Sequence, residues 1–124
     1  MYLIDTNIVI RALKGNEPEA SFLKQYILKK KVSISVVVVA EFYADASSED
    51  KEIFNELISK LPILIVDVNT AQIAGDYRQQ FARKTNRSFL SDCFLASQAK
   101  LHKLTLVTNN KKDFPMKDIK IISP

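Results

Sequence analysis

Three acidic residues stand where a strand-like run of the chain gives way to a helix-like run. Asp5 follows the apolar run YLI, Glu41 lies in SVVVVAEFYADA after the alternating run VSIS, and Asp92 opens the helix-like run DCFLASQAK. The carboxyl ends of parallel strands share one edge of an α/β sheet, so these acids can converge there. Three carboxylates in one pocket repel each other unless a hard divalent cation or shared protons relieve them. The pattern favours a cation, and with it metal-assisted phosphoryl chemistry.

The chain has too few cysteines for a disulfide or a cysteine-built zinc site, and its pattern supports no Cys-His catalysis. Cys93 is the only cysteine, so an internal disulfide and a cysteine-built zinc site are ruled out. His102 is the only histidine and has no evident partner for general-base or Cys-His catalysis. Oxygen-bearing side chains therefore remain as the candidates for catalysis.

Two groups of basic residues lie near candidate site segments in the sequence. The net charge is +4 and the sequence pI is about 9.2. Arg83, Lys84 and Arg87 precede Asp92, and Lys112 lies in the run TNNKKDF. Cations beside a metal centre suit a polyanionic substrate held through its phosphates. Solvated surface charge is an equally good explanation of these four residues.

The elements that must position the acids alternate between strands and helices. Predicted strands cover Tyr2–Ile4, Val32–Ser35, Ile63–Val68, Leu104–Val107 and Ile119–Ile122, and the segments between them have helical spacing of apolar residues. Such alternation predicts an α/β fold with a central parallel sheet of four to five strands.

Side chains that cap helices predict where several helices begin. Ser35 is a good N-cap, so the valine run that follows is predicted to be helical from about Val36, despite its strand propensity. Ser48 is predicted to cap the next amphipathic helix, and Thr70 the long helix after the third strand. Asp92 is predicted to begin a further helix.

Length and composition place the chain among single globular domains, here residues 1–124. With 47% hydrophobic and 26% charged residues it can bury one core. No apolar run approaches the roughly 20 residues of a membrane span, and no signal peptide opens the chain. We therefore expect a cytoplasmic protein that does not bind a membrane.

Four motifs in order, LIDTN, SVVVVAEF, SDCFLASQAK and LTLVTNNKKDF, resemble those of a PIN-domain ribonuclease of the VapC toxin type. The resemblance covers nearly the whole chain and implies a three-layer α/β/α fold. It implies an endoribonuclease that depends on Mg²⁺ or Mn²⁺, forms a homodimer, and is inhibited by a cognate antitoxin. By position, Asp5, Glu41 and Asp92 match the three metal-binding acids, and Asn7 and Thr108 match residues near the pocket.

The fourth position of the site is less well defined. The resemblance places Asn110 where many relatives have a fourth acid, and its amide oxygen could bind a cation or orient water. Asp113, one turn later, is expected to stabilise a local turn instead. Relatives also have a glycine-containing turn and a small residue around the third acid, whereas this chain has TNRSFL and Cys93. One-metal and two-metal catalysis both remain open.

Two other classes of protein compete with this interpretation. A receiver-type signalling domain has a similar length and an acidic magnesium pocket, and Asp67 would have to accept its phosphate. No second acid adjoins Asp5, however, and no lysine immediately follows the late strand. A non-catalytic RNA- or protein-binding module of the same fold is the other alternative, and the presence of all three acids opposes it.

Overall fold

The computed structural model of the chain describes residues 1–81 and 89–124. The described residues form five strands: β1 (Tyr2–Ile4), β2 (Val32–Ser35), β3 (Ile63–Leu64), β4 (Thr105–Val107) and β5 (Lys120–Ile122). All neighbouring strands are parallel, in the order β3-β2-β1-β4-β5. The prediction of a parallel sheet of four to five strands is therefore confirmed.

Helices connect these strands. They are α1 (Thr6–Leu13), α2 (Glu19–Leu28), α3 (Val36–Asp45), α4 (Ser48–Ile58), α5 (Val68–Gln80) and α6 (Phe89–Leu101). A 3-10 turn, Lys111–Asp113, lies between β4 and β5. Parallel strands need such crossovers, and right-handed crossovers place helices on both faces of the sheet when the strand order changes direction.

The strand order changes direction at β1. From β1 the chain moves outward to β2 and β3, then returns past β1 to β4 and β5. The carboxyl ends of β1 and β4 therefore flank the point at which the order reverses, and open parallel sheets bind ligands there. Asp5 directly follows β1, and Thr108 directly follows β4.

The valine run behaves as the capping argument predicts. Ser35 has an extended backbone, and its side chain accepts a hydrogen bond from the backbone N–H of Val37 at 3.0 Å. This bond stabilises the first turn of α3 and ends β2. The strand propensity of the valines is outweighed, because Val38 is buried in the core as part of a helix.

The predicted start of α4 and the predicted junction of β3 with α5 are wrong. Ser47, not Ser48, caps α4 by accepting a bond from the Asp50 N–H. β3 ends at Leu64, and Asp67 caps α5 because its carboxylate accepts bonds from both the backbone N–H and the hydroxyl of Thr70 at 2.8 Å. Thr70 thus lies inside α5 rather than at its cap.

The predicted start of α6 is wrong as well. This helix begins at Phe89, so Asp92 lies within its first turn instead of opening it. Phe89 is only 2% exposed, and its burial in the core favours the earlier start.

The core lies between the sheet and its helices. Leu3 and Ile4 of β1 and Leu106 of β4 are fully buried, and Phe42 stacks on Phe54 with 4.2 Å between ring centroids. Within residues 1–81 and 89–124, no helix is long and apolar enough to cross a membrane.

Candidate active site

Asp5 is the most enclosed acid of the candidate site. Its side chain is 7% exposed, and its Oδ1 atom accepts a hydrogen bond from the backbone N–H of Thr6 at 2.7 Å, which caps α1. Its Oδ2 atom accepts bonds from the Thr108 hydroxyl at 2.8 Å and from Asn7 Nδ2 at 3.0 Å. These donors fix the orientation of the carboxylate.

Burial and hydrogen bonding act on Asp5 in opposite directions. Burial raises the pKa of Asp5 above its ordinary value, and the bonds from Thr108, Thr6 and Asn7 lower it in part. The charge of Asp113 raises this pKa as well. The net result is a carboxylate whose negative charge is only partly compensated by protein groups.

Glu41 is linked to the same site through a threonine. The Thr6 hydroxyl donates to Glu41 Oε1 at 2.8 Å, so α1 and α3 meet directly beside Asp5. Burial raises the pKa of Glu41, the Thr6 bond lowers it, and the Asp5 charge raises it. Sequence reasoning missed this function of Thr6, although the residue follows Asp5 in the DTN motif.

Asp92 is the most perturbed acid. Burial, followed by the charges of Asp5, Asp113 and Glu41, raises the pKa of Asp92 to about 7. Those charges act on Asp92 from three other segments of the chain, so the structure brings the three predicted acids into one electrostatic cluster. The charge of Asp113 acts on Asp92 as well, although the sequence favoured Asn110 as the fourth residue of the site and a turn-stabilising part for Asp113.

A network of amides and hydroxyls supports the acids from the β4 side. Thr108 is fully buried, and its hydroxyl also accepts bonds from Asn7 Nδ2 at 3.3 Å and from the Asn110 backbone N–H at 3.0 Å. The Asn109 backbone N–H donates to Asn7 Oδ1 at 3.1 Å. Asn110 therefore contacts the site through its backbone, and a direct part for its side chain stays a prediction.

The donor atoms of this cluster fit a hard cation. No three described His, Cys, Asp or Glu side chains are already gathered around one point as the ligands of an ion. The available groups are nevertheless carboxylate, hydroxyl and amide oxygens, which Mg²⁺ and Mn²⁺ prefer. Burial is the main reason that the pKa values of Asp5, Glu41 and Asp92 are raised, and a bound cation would relieve the repulsion that adds to it.

The predicted substrate-binding residues fall in two places. Arg83, Lys84 and Arg87 lie outside the described residues. Lys112 is exposed in the 3-10 turn beside Asp113, on the carboxyl side of β4.

Asp67, the residue that a receiver domain would phosphorylate, is an exposed helix cap, and its pKa is lowered by its bonds to Thr70. The receiver interpretation therefore has no site.

Comparisons with known proteins identify the family of this chain. The family model of the PIN domain matches residues 2–120. The tRNA(fMet)-specific endonuclease VapC of Shigella flexneri is 30% identical in an alignment of 119 positions that covers 91% of this chain and 89% of the relative.

Two solved structures share the fold. One is the crystal structure of VapBC2 from Rickettsia felis bound to a DNA fragment from the VapBC2 promoter. It matches this chain with a TM-score of 0.81 at 23% identity, and the match covers 99% of this chain and 98% of the other chain. A toxin-antitoxin complex from Klebsiella pneumoniae has a TM-score of 0.80 at 24% identity, covering 98% and 96%. The three-layer α/β/α fold is thereby confirmed, and the chain belongs to the PIN-domain family, among the VapC ribonucleases.

Proposed function

We propose that this chain is a metal-dependent endoribonuclease toxin that hydrolyses RNA phosphodiester bonds. The observation that carries the proposal is the cluster at the carboxyl end of β1, where burial, followed by the charges of Asp5, Asp113 and Glu41, raises the pKa of Asp92 to about 7. Structural carboxylates are normally arranged to avoid such repulsion, whereas perturbed acids in one cluster are typical of functional sites. The endonuclease name of the Shigella flexneri relative supports RNA as the substrate class.

Mg²⁺ or Mn²⁺ is the proposed cofactor, held by Asp5, Glu41 and Asp92. When bound, such an ion lowers the pKa of a coordinated water and stabilises charge on phosphoryl oxygens. Asp113 could add a fourth carboxylate, and Asn110 a neutral amide oxygen.

The protein groups around the acids have separate tasks in this proposal. Thr108, Asn7 and the Thr6 backbone N–H hold the Asp5 carboxylate in one orientation, and the Thr6 hydroxyl does the same for Glu41. Asp92, with a pKa of about 7, can hold a proton near neutral pH and would release it on acting as a ligand. Pre-orientation of this kind reduces the reorganisation needed during reaction.

RNA would be held through its phosphates by basic side chains beside the acids. Lys112 is exposed next to Asp113, and Arg83, Lys84 and Arg87 precede Asp92 in the sequence. Such contacts predict binding that weakens steeply with salt and does not depend on the base sequence. We propose the cytoplasm as the place where the RNA is met.

A cognate antitoxin is the proposed protein partner, in keeping with the toxin-antitoxin complex from Klebsiella pneumoniae. An apolar groove between α1, α3 and α4 offers a surface for it, lined in part by Ile10, Leu13, Phe42 and Ile53. Helices α1 and α3 also carry Thr6 and Glu41, so a segment bound in the groove would contact two helices that contribute to the site. Ile53 is 51% exposed, which leaves its side chain free for a partner.

The activity is tested by cleavage of a defined RNA with and without a chelator. Asp5→Asn and Asp92→Asn should each abolish cleavage that depends on Mg²⁺ while preserving the far-UV circular dichroism spectrum. Asp76→Asn, an exposed acid on α5, is the matched control and should cleave like the parent. If both site variants cleave normally in nuclease-free preparations, the proposal is wrong. RNA binding without cleavage by the parent would instead identify a non-catalytic RNA-binding module.

A further inference from the structure

Glu19 is a buried acid that lies outside the four-acid cluster. It occupies the first turn of α2, and only 2% of the residue is exposed. Its Oε2 atom accepts hydrogen bonds from Arg11 Nε and from Asn109 Nδ2, the second at 3.1 Å. The Arg11 bond, more than any other cause, holds the pKa of Glu19 below its ordinary value, so the carboxylate is charged.

The contact with Asn109 joins Glu19 to the acidic cluster. The Asn109 backbone N–H donates to Asn7 Oδ1 at 3.1 Å, and Asn7 Nδ2 donates to Asp5 Oδ2 at 3.0 Å. An asparagine amide has an acceptor end and a donor end. Because Asn109 occupies the acceptor end of Asn7, the donor end is directed at the Asp5 carboxylate.

The cost of burying Glu19 points to a positional task. Burying a carboxylate costs free energy unless its oxygens are hydrogen-bonded, and replacing a buried ion pair by apolar groups is often neutral or stabilising. Glu19 Oε1 has no hydrogen-bond partner among the described residues, and the Arg11 side chain is 46% exposed. Packing of α2 alone would be served better by an apolar residue.

We propose that Glu19 is a positioning residue of the acidic site, because it holds Asn109 and thereby fixes the Asn7 amide that orients Asp5. The inference rests on the proposed function for its effect on catalysis. Its structural content, the link from Glu19 to the Asn7 amide, can be measured without metal or RNA. Asn109 is the connecting residue, and Arg11 keeps the Glu19 carboxylate charged and in place.

The test compares Glu19→Ala, Glu19→Gln and Asn109→Ala with the parent. Glutamine keeps one side-chain oxygen, and the two bonds that Glu19 accepts both use a single oxygen. Asn109→Ala removes only the side-chain link and leaves the backbone N–H that donates to Asn7. Glu17→Ala is the matched control, because Glu17 is an exposed acid two residues away that bonds only Ser21 among the described residues.

Two readouts are needed. Nuclear magnetic resonance of the Asn7 side-chain amide in metal-free protein reports on its bonds to Asp5 and Thr108. Calorimetric titration with Mg²⁺ alone reports on the acids. Glu19→Ala and Asn109→Ala should shift the Asn7 amide signals, accelerate their hydrogen exchange, and weaken Mg²⁺ binding by roughly tenfold, the lower end of the effect of outer-shell partners. Glu19→Gln should keep the Asn7 amide signals and the Mg²⁺ affinity close to those of the parent. Glu17→Ala should change neither the signals nor the affinity.

The outcomes separate the inference from the proposed function. Unchanged Asn7 amide signals in Glu19→Ala and Asn109→Ala would overturn the inference, whatever the parent does with RNA. If Glu19→Ala does not fold, Asn109→Ala alone decides, since Asn109 is exposed in a loop. If the Asn7 signals respond but the parent neither binds Mg²⁺ nor cleaves RNA, the positional link stands and the proposed function is overturned.

Discussion

Asp92→Asn should stabilise the metal-free protein at neutral pH, although it removes a site residue. Asp92 has a pKa of about 7 in the folded protein, against an ordinary value of 3.8. Each tenfold change in proton affinity corresponds to about 1.4 kcal/mol. The side chain is partly exposed, so solvent screening reduces the penalty for its charged form to roughly 1–2 kcal/mol. Asparagine keeps the shape of the side chain and removes that penalty.

The sign of the pH dependence follows from the raised pKa. The folded state binds a proton at Asp92 more tightly than the unfolded state does, so the parent loses stability as the pH rises from the ordinary value of 3.8 to about 7. Above that range the loss is complete and constant. The variant has no such group, so its stability advantage should grow through this window and then level off.

Urea denaturation in the presence of a chelator measures this advantage. We expect the free energy of unfolding of the variant to exceed that of the parent by roughly 1–2 kcal/mol at about pH 7.5, and by clearly less at about pH 5. Asp76→Asn, the exposed control, should follow the parent at both values. An Asp92→Asn variant that is no more stable than the parent near pH 7.5, or equally favoured at both values, would refute the electrostatic reasoning.

Further predictions concern metal, substrate and partners. Mg²⁺ or Mn²⁺ at about one hundred times its dissociation constant should stabilise the parent by about 2.7 kcal/mol, measured as a rise in melting temperature, and Asp92→Asn should lose most of it. Asn110→Asp should tighten Mn²⁺ binding in calorimetry, and Asp113→Asn should weaken it more than Asn110→Ala does. Lys112→Ala should weaken RNA binding and reduce its salt dependence by about one counterion, seen by fluorescence anisotropy. Ile53→Glu should prevent antitoxin binding in pull-down assays while RNA cleavage persists. Light scattering should show a homodimer, and a strict monomer at micromolar concentration would contradict it.

Local features of the structure were predictable from the sequence. The end of β2 and the start of α3 depend on Ser35 and on hydrogen bonds within a few residues. Asp5 was predicted to lie in the site because it follows β1, and the structure shows that it also caps α1 and accepts a bond from Thr108 on the β4 side. These properties follow from short-range capping and from the geometry of parallel strands.

Features that depend on contacts between distant segments were not predictable in the same way. Ile65 and Val66 continue an apolar run, yet Ile65 is 68% exposed and β3 has already ended at Leu64. The bond between Thr6 and Glu41 joins residues 35 positions apart. Whether Asn110 or Asp113 approaches the acids depends on how the turn after β4 closes, and the residue pattern TNNKKDF does not specify that closure.

Asp5 and Asp92, which the sequence pattern treats alike, differ in the hydrogen bonds that offset the burial of their charges, although burial raises the pKa of both. Asp5 caps α1 and accepts three hydrogen bonds, so replacing it removes stabilising contacts together with a charge. Burial and acidic neighbours raise the pKa of Asp92 to about 7, so replacing Asp92 mainly removes the free-energy cost of its buried charge. Loss of activity in both variants, with loss of stability only in Asp5→Asn, would separate the contribution of an acid to folding from its contribution to the site. A purely structural set of acids could not give this result, because residues retained for folding do not stabilise the protein when they are removed.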